Sequence, residues 1–347
     1  MTSTQHQPEQ SQSPWTFRRA AVIGAGAMGT LLTTVLGATV PVVVVCRNPD
    51  RAAHLFKFGA KAHGQIEGSA KPILIRSIEE LPNAGGADAV FVATKTTAIP
   101  SVAGALAPVL PKLCKDGTPP FVVSFQNGIE PGQELMRLLH HEAVLRIVLS
   151  LGAVLEGDHV QVSMNSPPHV IGGPSPVFRS ACEAIAGALT AGGLDTAYTD
   201  EIEQHVWRKA IVNAAMNPVA ALANCTVGDV LDAPARTIVA RLLDEGVAVA
   251  NAEGLGLPAT FPEAVFRLYE LARQHVPSMV EDIRRGRESE VGQLNRQIIE
   301  HGLRLGVQTP THETIDALIE TFDWKVYHHH HSRVEPAAPM KRSTRLN

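Results

Sequence analysis

The chain has 347 residues with 30 basic against 34 acidic side chains, a formal net charge of -4, and it is 45% apolar but only 18% charged. That balance excludes an extended disordered chain and offers no broad basic field for nucleic acid or an anionic membrane, while the length suits two domains of ordinary size. A compact enzyme acting on a small molecule fits.

Cys46, Cys114, Cys182 and Cys225 are scattered with no CxxC pair, so neither a zinc site nor a disulfide framework is signalled, and a reducing compartment, the cytoplasm, is expected. The N-terminus lacks the apolar core of a secretory signal. The most apolar stretch, Leu31 to Cys46, is interrupted by Thr33, Thr34, Gly37, Thr39 and Pro41, so no membrane span is expected.

In chain order, residues 1–18 read as a disordered tail, polar as far as Pro14. Ala20 to Ile23 is a short apolar run ending in Gly24. Val42 to Val45 is four β-branched residues, the pattern of a strand buried on both faces of a parallel sheet. Similar runs recur at Ala89 to Ala93, Phe121 to Phe125 and Ala143 to Leu149, spaced widely enough for crossover helices, which argues for repeated βαβ units. Gly152 to Thr199, rich in Gly and Pro, reads as the last strands and hairpins of this domain. From Asp200 the pattern turns to long helical segments, Glu201 to Asn224, Ala233 to Gly254 and Phe261 to Arg285. The fold class is therefore an α/β N-terminal Rossmann-type dinucleotide-binding domain, residues 19–199, followed by an all-helical C-terminal domain, residues 200–327. Residues 328–347 read as a second disordered tail, and the run His328 to His331 within it is a compositional feature from which no metal site is expected.

Gly24-Ala25-Gly26-Ala27-Met28-Gly29 follows the first strand directly and opens the first helix, the context in which a GxGxxG pattern carries weight. The first glycine permits the tight turn, the second lets the backbone approach a pyrophosphate, and the third lets helix pack on strand, with the helix N-terminus facing the phosphates. Arg47 ends the second strand, where an NAD-binding fold usually places an acid against the ribose 2′-hydroxyl, and a cation there suits the 2′-phosphate of NADP(H). Arg51 could assist, whereas Asp50 is the competing acid, and a solvated strand-end charge is the plain alternative for Arg47. Lys95 follows the third long strand, and Asn127, within Gln126-Asn127-Gly128, follows the fourth. Both stand at carboxyl ends of parallel strands, where ligands bind in open α/β sheets. Lys95 could meet cofactor phosphate or ribose or be a plain surface lysine, and Asn127 could orient nicotinamide or substrate or simply make an Asn-Gly turn.

Lys209, Asn213 and Asn217 are spaced by four and four, which at about 3.6 residues per turn keeps them within about 80° on one helix face. The residues around them are apolar on nearly every other side, so the stripe needs partners: either a structural network or a polar substrate. Pro218 removes one helix hydrogen bond just past Asn217. Ser278 to Asp282 lies at a helix end, the basic break Arg284, Arg285, Gly286, Arg287 follows, and Glu290 after Ser289 reads as the opening of a new helix, where the dipole alone favours an acid. For Ser278 a capping or solvated hydroxyl is the plain alternative.

Taken together, the fingerprint Gly24 to Gly29, Gln126-Asn127-Gly128, the run from Trp207-Arg208-Lys209 through Asn213 to Asn217-Pro218, Ser278-Met279 with Asp282, and Gly286-Arg287 leading to Glu290 resemble the ketopantoate reductase family over Arg19 to Gly306. The resemblance implies NADPH-dependent reduction of 2-dehydropantoate to (R)-pantoate, a step toward pantothenate and coenzyme A. It makes Lys209 the general acid at the 2-keto oxygen, and Asn213, Asn217 and Ser278 hydrogen-bonding groups for the keto acid. By the same resemblance Glu290 orients substrate or Lys209 and stands near the cofactor, Asn127 contacts the nicotinamide side, and Arg47 matches the NADP-selecting position. Two departures stand out: Pro277 before Ser278-Met279 where the family commonly has Ser, and Gly292 where a Thr-Glu-Ile-Asp pattern would end in Asp.

The alternatives are reduction of another 2-keto acid with the same lysine, or a nonenzymatic NADPH-binding sensor, which would have no need of Lys209 and Glu290 together. The expected partner is a small-molecule 2-keto acid. Apolar helices of the second domain could form a homodimer interface or pack within one subunit.

Overall fold

The computed structural model describes residues 15–113 and 119–328, and the chain divides into two compact units, Met1–Ala210 and Ile211–Asn347. The division falls inside a helix, past the boundary at 199/200 expected from sequence. Residues 1–14 of the expected N-terminal tail, and the histidine run beyond His328, lie outside the described residues.

The first unit runs β1 (Ala20–Ile23), α1 (Ala27–Leu36), β2 (Val42–Val45), α2 (Pro49–Phe58), β3 (Ala60–Gly64), β4 (Gly68–Ala70), β5 (Ile73–Ile75), β6 (Ala89–Val92), α3 (Ile99–Leu106), β7 (Phe121–Ser124), α4 (Pro131–Leu139), β8 (Val144–Val148), β9 (Leu151–Glu156), β10 (His159–Asn165), β11 (His169–Gly172), α5 (Arg179–Ala191) and β12 (Thr196–Tyr198). The main sheet has the order β12-β11-β8-β7-β6-β1-β2-β5. Its pairs are parallel from β5 to β8 and again between β11 and β12, and only β8 with β11 is antiparallel. From β5 to β8 this is the strand order of the doubly wound dinucleotide-binding fold. Every residue of β1, β2 and β6 is buried. Alternate side chains therefore enter two cores, one holding Ala20, Val22, Val44 and Phe91, the other Ala21, Ile23, Val43 and Val90.

A second sheet, β4-β3-β10-β9, was not foreseen from sequence. It packs on α1, which explains why that helix is buried from Gly29 to Leu36 rather than amphipathic. Its threonines satisfy themselves by back-bonding: Thr33 Oγ1 donates to Gly29 O at 2.6 Å and Thr34 Oγ1 to Thr30 O at 3.0 Å. The fully buried Leu31, Leu32, Val35 and Leu36 each contribute about 1.5–3 kcal/mol.

Three expectations are corrected in this unit. The stretch 152–199 is not strands and hairpins alone, because it contains the thirteen-residue helix α5; the alanine-rich run from Arg179 to Ala191 favours helix, and its Ile185 and Leu189 lie one turn apart on the buried face. Residues 15–18, assigned to a disordered tail, are packed: Trp15 stacks on Phe17, meets Phe121 edge-on, and donates its backbone N–H to Ser180 Oγ at 2.9 Å. The strands also stop at Val92, Ser124 and Val148, short of the apolar runs that marked them.

α6 (Ile202–Ala223) begins in the first unit and ends in the second, where α7 (Val227–Asp232), α8 (Arg236–Ala252), α9 (Phe261–Leu271), α10 (Ser278–Arg284), α11 (Asn295–Leu305) and α12 (Pro310–His328) follow. The second unit packs around α8, whose Val239, Leu242, Leu243 and Val249 are fully buried, as are Ile298 and Ile319 of the adjoining α11 and α12. The segment 261–285, expected as one helix, is two; the chain breaks after Leu271, and Pro277 disfavours helix in the residue before it. α7 was missed as a separate helix and is marked by a capping box of Thr226 and Asp229.

α6 runs through Pro218. Proline has no N–H to offer the carbonyl four residues earlier, and that carbonyl, Ala214 O, instead accepts Asn295 Nδ2 at 3.0 Å. Asn295 is fully buried, and its amide also donates to His312 Nδ1 at 3.0 Å while His312 Nε2 donates to Leu242 O. His312 is thus a neutral histidine with both nitrogens used, and burial pushes its pKa down to about 4.

Candidate active site

β1 and β6 are neighbours from which the strand order runs outward in both directions, so the crevice at their carboxyl ends is the switch point where such sheets bind ligands. The turn after β1 shows what each glycine does. Gly24 has φ 110, and a Cβ on it would lie 2.8 Å from Ala93 O; a Cβ on Gly29 would lie 2.0 Å from Gly24 O. The fold itself demands both. A Cβ on Gly26 would meet nothing within 4 Å, and Gly26, the N-cap of α1, is exposed with φ -73. Its open side adjoins the first N–H groups of α1, from Ala27 and Met28, which no helix can pair internally.

Arg51 serves this loop: its Nε donates to Ala25 O at 3.2 Å and its Nη2 to Thr30 Oγ1 at 2.9 Å. Burial lowers its pKa from the ordinary arginine value. It therefore ties α2 to the glycine turn, a different task from the ribose-phosphate role weighed for it above. Asp50 lies exposed in the first turn of α2, where the dipole favours an acid. Arg47 is exposed immediately after β2, and the guanidinium of Arg76 donates to its carbonyl. Arg76 follows β5, the neighbour of β2, so two arginines share this edge; sequence reading missed the second because β5 is only three residues long.

Lys95 is exposed at the start of a short turn after β6. After β7, Gly128 has φ 105, which makes an Asn-Gly turn of Gln126-Asn127-Gly128. Asn127 and Lys209 line one small pocket together with Gln126, Gly128, Arg146 and Val206. Both side chains are half-buried.

Beneath them lies a network that sequence reading passed over. Arg146, fully enclosed on β8, donates from Nη1 to Ser124 Oγ at 2.7 Å and from Nη2 to Gln126 O at 3.0 Å and Gly128 O at 2.7 Å. Ser124 Oγ donates to Gln126 Oε1 at 2.7 Å, and Gln126 Nε2 donates to Val92 O at 2.8 Å. Burial pushes the guanidinium down to about 10, with the Glu203 charge acting the other way. The signal was a single arginine inside the apolar run Ala143 to Leu149. His169, also buried, accepts the Ser150 N–H at Nδ1 and contacts Asn165 Oδ1 through Nε2 at 2.8 Å. Its pKa is pushed down to about 4, by burial first and then by the charge of Lys209.

In the second unit, Asn213 and Asn217 are half-buried on the face of α6 that carries Lys209. Ser278 is the exposed first residue of α10, after Pro277, and the buried Asp282 pairs with Arg287 at 2.8 Å. Glu290 does not open a helix: it precedes a short 3-10 turn, Val291–Gln293, and α11 begins only at Asn295. The segment is held by Asp323 of α12, which accepts Ser289 N at 3.1 Å and Ser289 Oγ at 2.6 Å. That anchorage comes from another helix, with no side chain at Gly292. Among the described residues no cluster of three or more His, Cys, Asp or Glu could hold a metal ion, and no helix is long and apolar enough to cross a membrane.

A sheet of this order with a glycine turn at its switch point, followed by a helical unit, defines a Rossmann-type dinucleotide-binding chain. Two family models match it, "Ketopantoate reductase PanE/ApbA" over residues 20–174 and "Ketopantoate reductase PanE/ApbA C terminal" over residues 201–323, and the chain belongs to the ketopantoate reductase family. A 2-dehydropantoate 2-reductase of Archaeoglobus fulgidus is 28% identical over 304 residues, 87% of this chain and 97% of that protein. The crystal structure of a PanE/ApbA family ketopantoate reductase from Ralstonia eutropha JMP134 superposes with a TM-score of 0.78 at 26% identity, covering 89% of this chain and 100% of that one. D-mandelate dehydrogenase in its ternary structure with NADH and anilino(oxo)acetate shares the fold, with a TM-score of 0.78 at 22% identity over 89% of this chain and 99% of that one.

Proposed function

We propose that the chain catalyses NADPH-dependent reduction of 2-dehydropantoate to (R)-pantoate, with Lys209 as general acid. The observation that carries this reading is the pairing of Lys209 with Asn127 in one pocket, at the carboxyl end of the sheet, in a chain whose relatives include a protein named 2-dehydropantoate 2-reductase.

The residues suit a nicotinamide dinucleotide. Gly26 leaves an open cradle at the N-terminus of α1, Ala27 and Met28 present helix-end N–H groups, and Gly24 and Gly29 fix the turn that aims them. Arg47, with Arg76 beside it, supplies positive charge suited to a 2′-phosphate, and Lys95 adds a cation at the neighbouring strand end. A nicotinamide cofactor held by these residues would supply a hydride to C2 of the keto acid. Lys209 donates a proton to the keto oxygen as alkoxide charge develops there, so the product gains one hydride and one proton. Asn127 orients the nicotinamide side, Asn213, Asn217 and Ser278 hydrogen-bond the keto acid, and Glu290 orients substrate or the lysine. This chemistry calls for a chain working among metabolites in the cytoplasm, upstream of pantothenate and coenzyme A.

The D-mandelate dehydrogenase likeness shows that the fold alone does not choose the acid. The test is loss of NADPH absorbance with 2-dehydropantoate, run beside NADH, beside a panel of other 2-keto acids, and with Lys209→Ala. Turnover lost in Lys209→Ala while NADPH still binds supports the reaction and the acid; NADPH binding without turnover of 2-dehydropantoate refutes the substrate.

A further inference from the structure

A fully buried arginine on an inner strand of a sheet is costly, since an apolar side chain of similar volume would often serve stability as well or better. Arg146 pairs across the sheet with Ser124 on one side and Gly172 on the other. Its hydrogen-bond acceptors are neutral: one hydroxyl and the carbonyls of Gln126 and Gly128. Those carbonyls belong to the residues on either side of Asn127, so one guanidinium nitrogen grips the turn just before and just after it. The other nitrogen works through Ser124 and the Gln126 side chain to Val92 O, the strand end that leads to Lys95. A planar group with donors in a fixed fork can hold the two carbonyls from one nitrogen and Ser124 Oγ from the other at the same time, which a lysine's single nitrogen cannot do in the same geometry.

We propose that Arg146 is a positioning residue for the proposed reduction: it fixes the Gln126–Gly128 turn and thereby the direction of the Asn127 side chain beside Lys209. The inference rests on the role given to Asn127 above. Arg146 contacts neither substrate nor cofactor in this scheme and acts through Asn127.

The test is a double-mutant cycle of Arg146→Met and Asn127→Ala, with kcat and KM for 2-dehydropantoate and the Kd for NADPH measured on the full chain. Methionine keeps much of the arginine's packing volume and removes its donors. Arg146→Met lowers kcat at least tenfold with a smaller change in KM, and the double variant is no slower than Asn127→Ala alone, because the positioned group is already gone. Additive effects, within about twofold, in both kcat and NADPH Kd would overturn the proposal, since that is the behaviour of independent sites. If Arg146→Met does not fold, Arg146→Lys and Ser124→Ala enter the same cycle, and the same non-additivity with Asn127→Ala is required of them. If the parent chain does not turn over 2-dehydropantoate, the proposed reaction fails, while the cycle in NADPH Kd still decides for or against Arg146.

Discussion

Two functions of the glycine turn, cofactor approach and helix packing, separate cleanly at Gly26 and Gly29. In Gly29→Ala the new Cβ would sit 2.0 Å from Gly24 O, 2.9 Å from Gly24 C and 3.2 Å from the Ala93 side chain. Carbon atoms pack at about 3.5–4.0 Å, so the start of α1 must move away from β1 in a buried junction. Overpacking of this kind costs about 1–3 kcal/mol and occasionally more, and contact with a backbone carbonyl puts Gly29→Ala at the upper end. At about 2–4 °C per kcal/mol for a unit of this size, the first unit should melt roughly 6–12 °C lower. Gly26→Ala meets no protein atom, and its φ of -73 and ψ of -165 suit alanine. The entropy gained against the unfolded chain, about 0.4–1 kcal/mol, roughly offsets the poorer N-cap, so the melting temperature should stay within about 2 °C. On the proposed function, the methyl instead occupies the side from which the cofactor's phosphates would approach. A loss of about 1–3 kcal/mol there corresponds to about 5- to 150-fold in NADPH affinity. Thermal unfolding followed by circular dichroism and NADPH titration followed by fluorescence read the two effects independently. Parent-like NADPH binding by Gly26→Ala would refute the cradle, and a parent-like melt of Gly29→Ala would refute the packing argument.

Three further outcomes are expected. On the proposed function, Arg47→Ala would remove a charge-assisted contact worth about 1.5–3 kcal/mol and should weaken NADPH about 10- to 150-fold while leaving NADH nearly unchanged; Arg76→Ala moves in the same direction by less, and equal losses for both cofactors would refute the 2′-phosphate assignment. Asn295→Leu leaves Ala214 O and His312 Nδ1 buried without donors, at about 1–3 kcal/mol each, and Pro218→Ala, which restores an N–H for Ala214 O, should stabilise the chain more in that background than alone in urea denaturation. His169 and His312 are held near pKa 4 against an ordinary 6.5, so the unfolded chain binds more protons between those values; stability is complete above about pH 6.5 and falls as pH drops toward 4, by up to about 3 kcal/mol for the deeply enclosed His312 and by less for His169, and denaturation midpoints that do not move between pH 7 and 4.5 would contradict it.

The parts of the fold that were legible are those whose cause is local. Four β-branched residues in Val42–Val45 and the glycine spacing of Gly24, Gly26 and Gly29 announce a buried strand and a turn without help from distant residues. Lys209 and Asn127 were singled out one by one, and their meeting in a pocket depends on how α6 lies against the ends of β7 and β8. Less legible were the features whose cause is remote. Strands β3, β4, β9 and β10 are short or half-exposed and are sheet because they cover α1. Glu290 read as a helix opening because an acid after a serine suits a cap; Asp323 instead takes the Ser289 donors and leaves the chain in a 3-10 turn.

A buried backbone group must be paired, so each irregularity in an element is also a demand on some other part of the chain. The sequence displays the demand. Pro218 leaves one carbonyl without its helical donor, and the Asn127-Gly128 turn leaves two more facing the sheet interior. The suppliers come from 81 residues away in Asn295 and from 20 and 18 residues away in Arg146, and nothing at either position shows which carbonyl it will serve. What does show is that each supplier is misplaced by its own local standard: Asn295 is a fully buried amide at the head of a helix, and Arg146 is a cation in a strand of Val, Leu and Ile. A polar residue out of keeping with its element therefore marks the place to look for a strained or functional segment elsewhere, and in this chain Arg146 leads directly to the turn that carries Asn127.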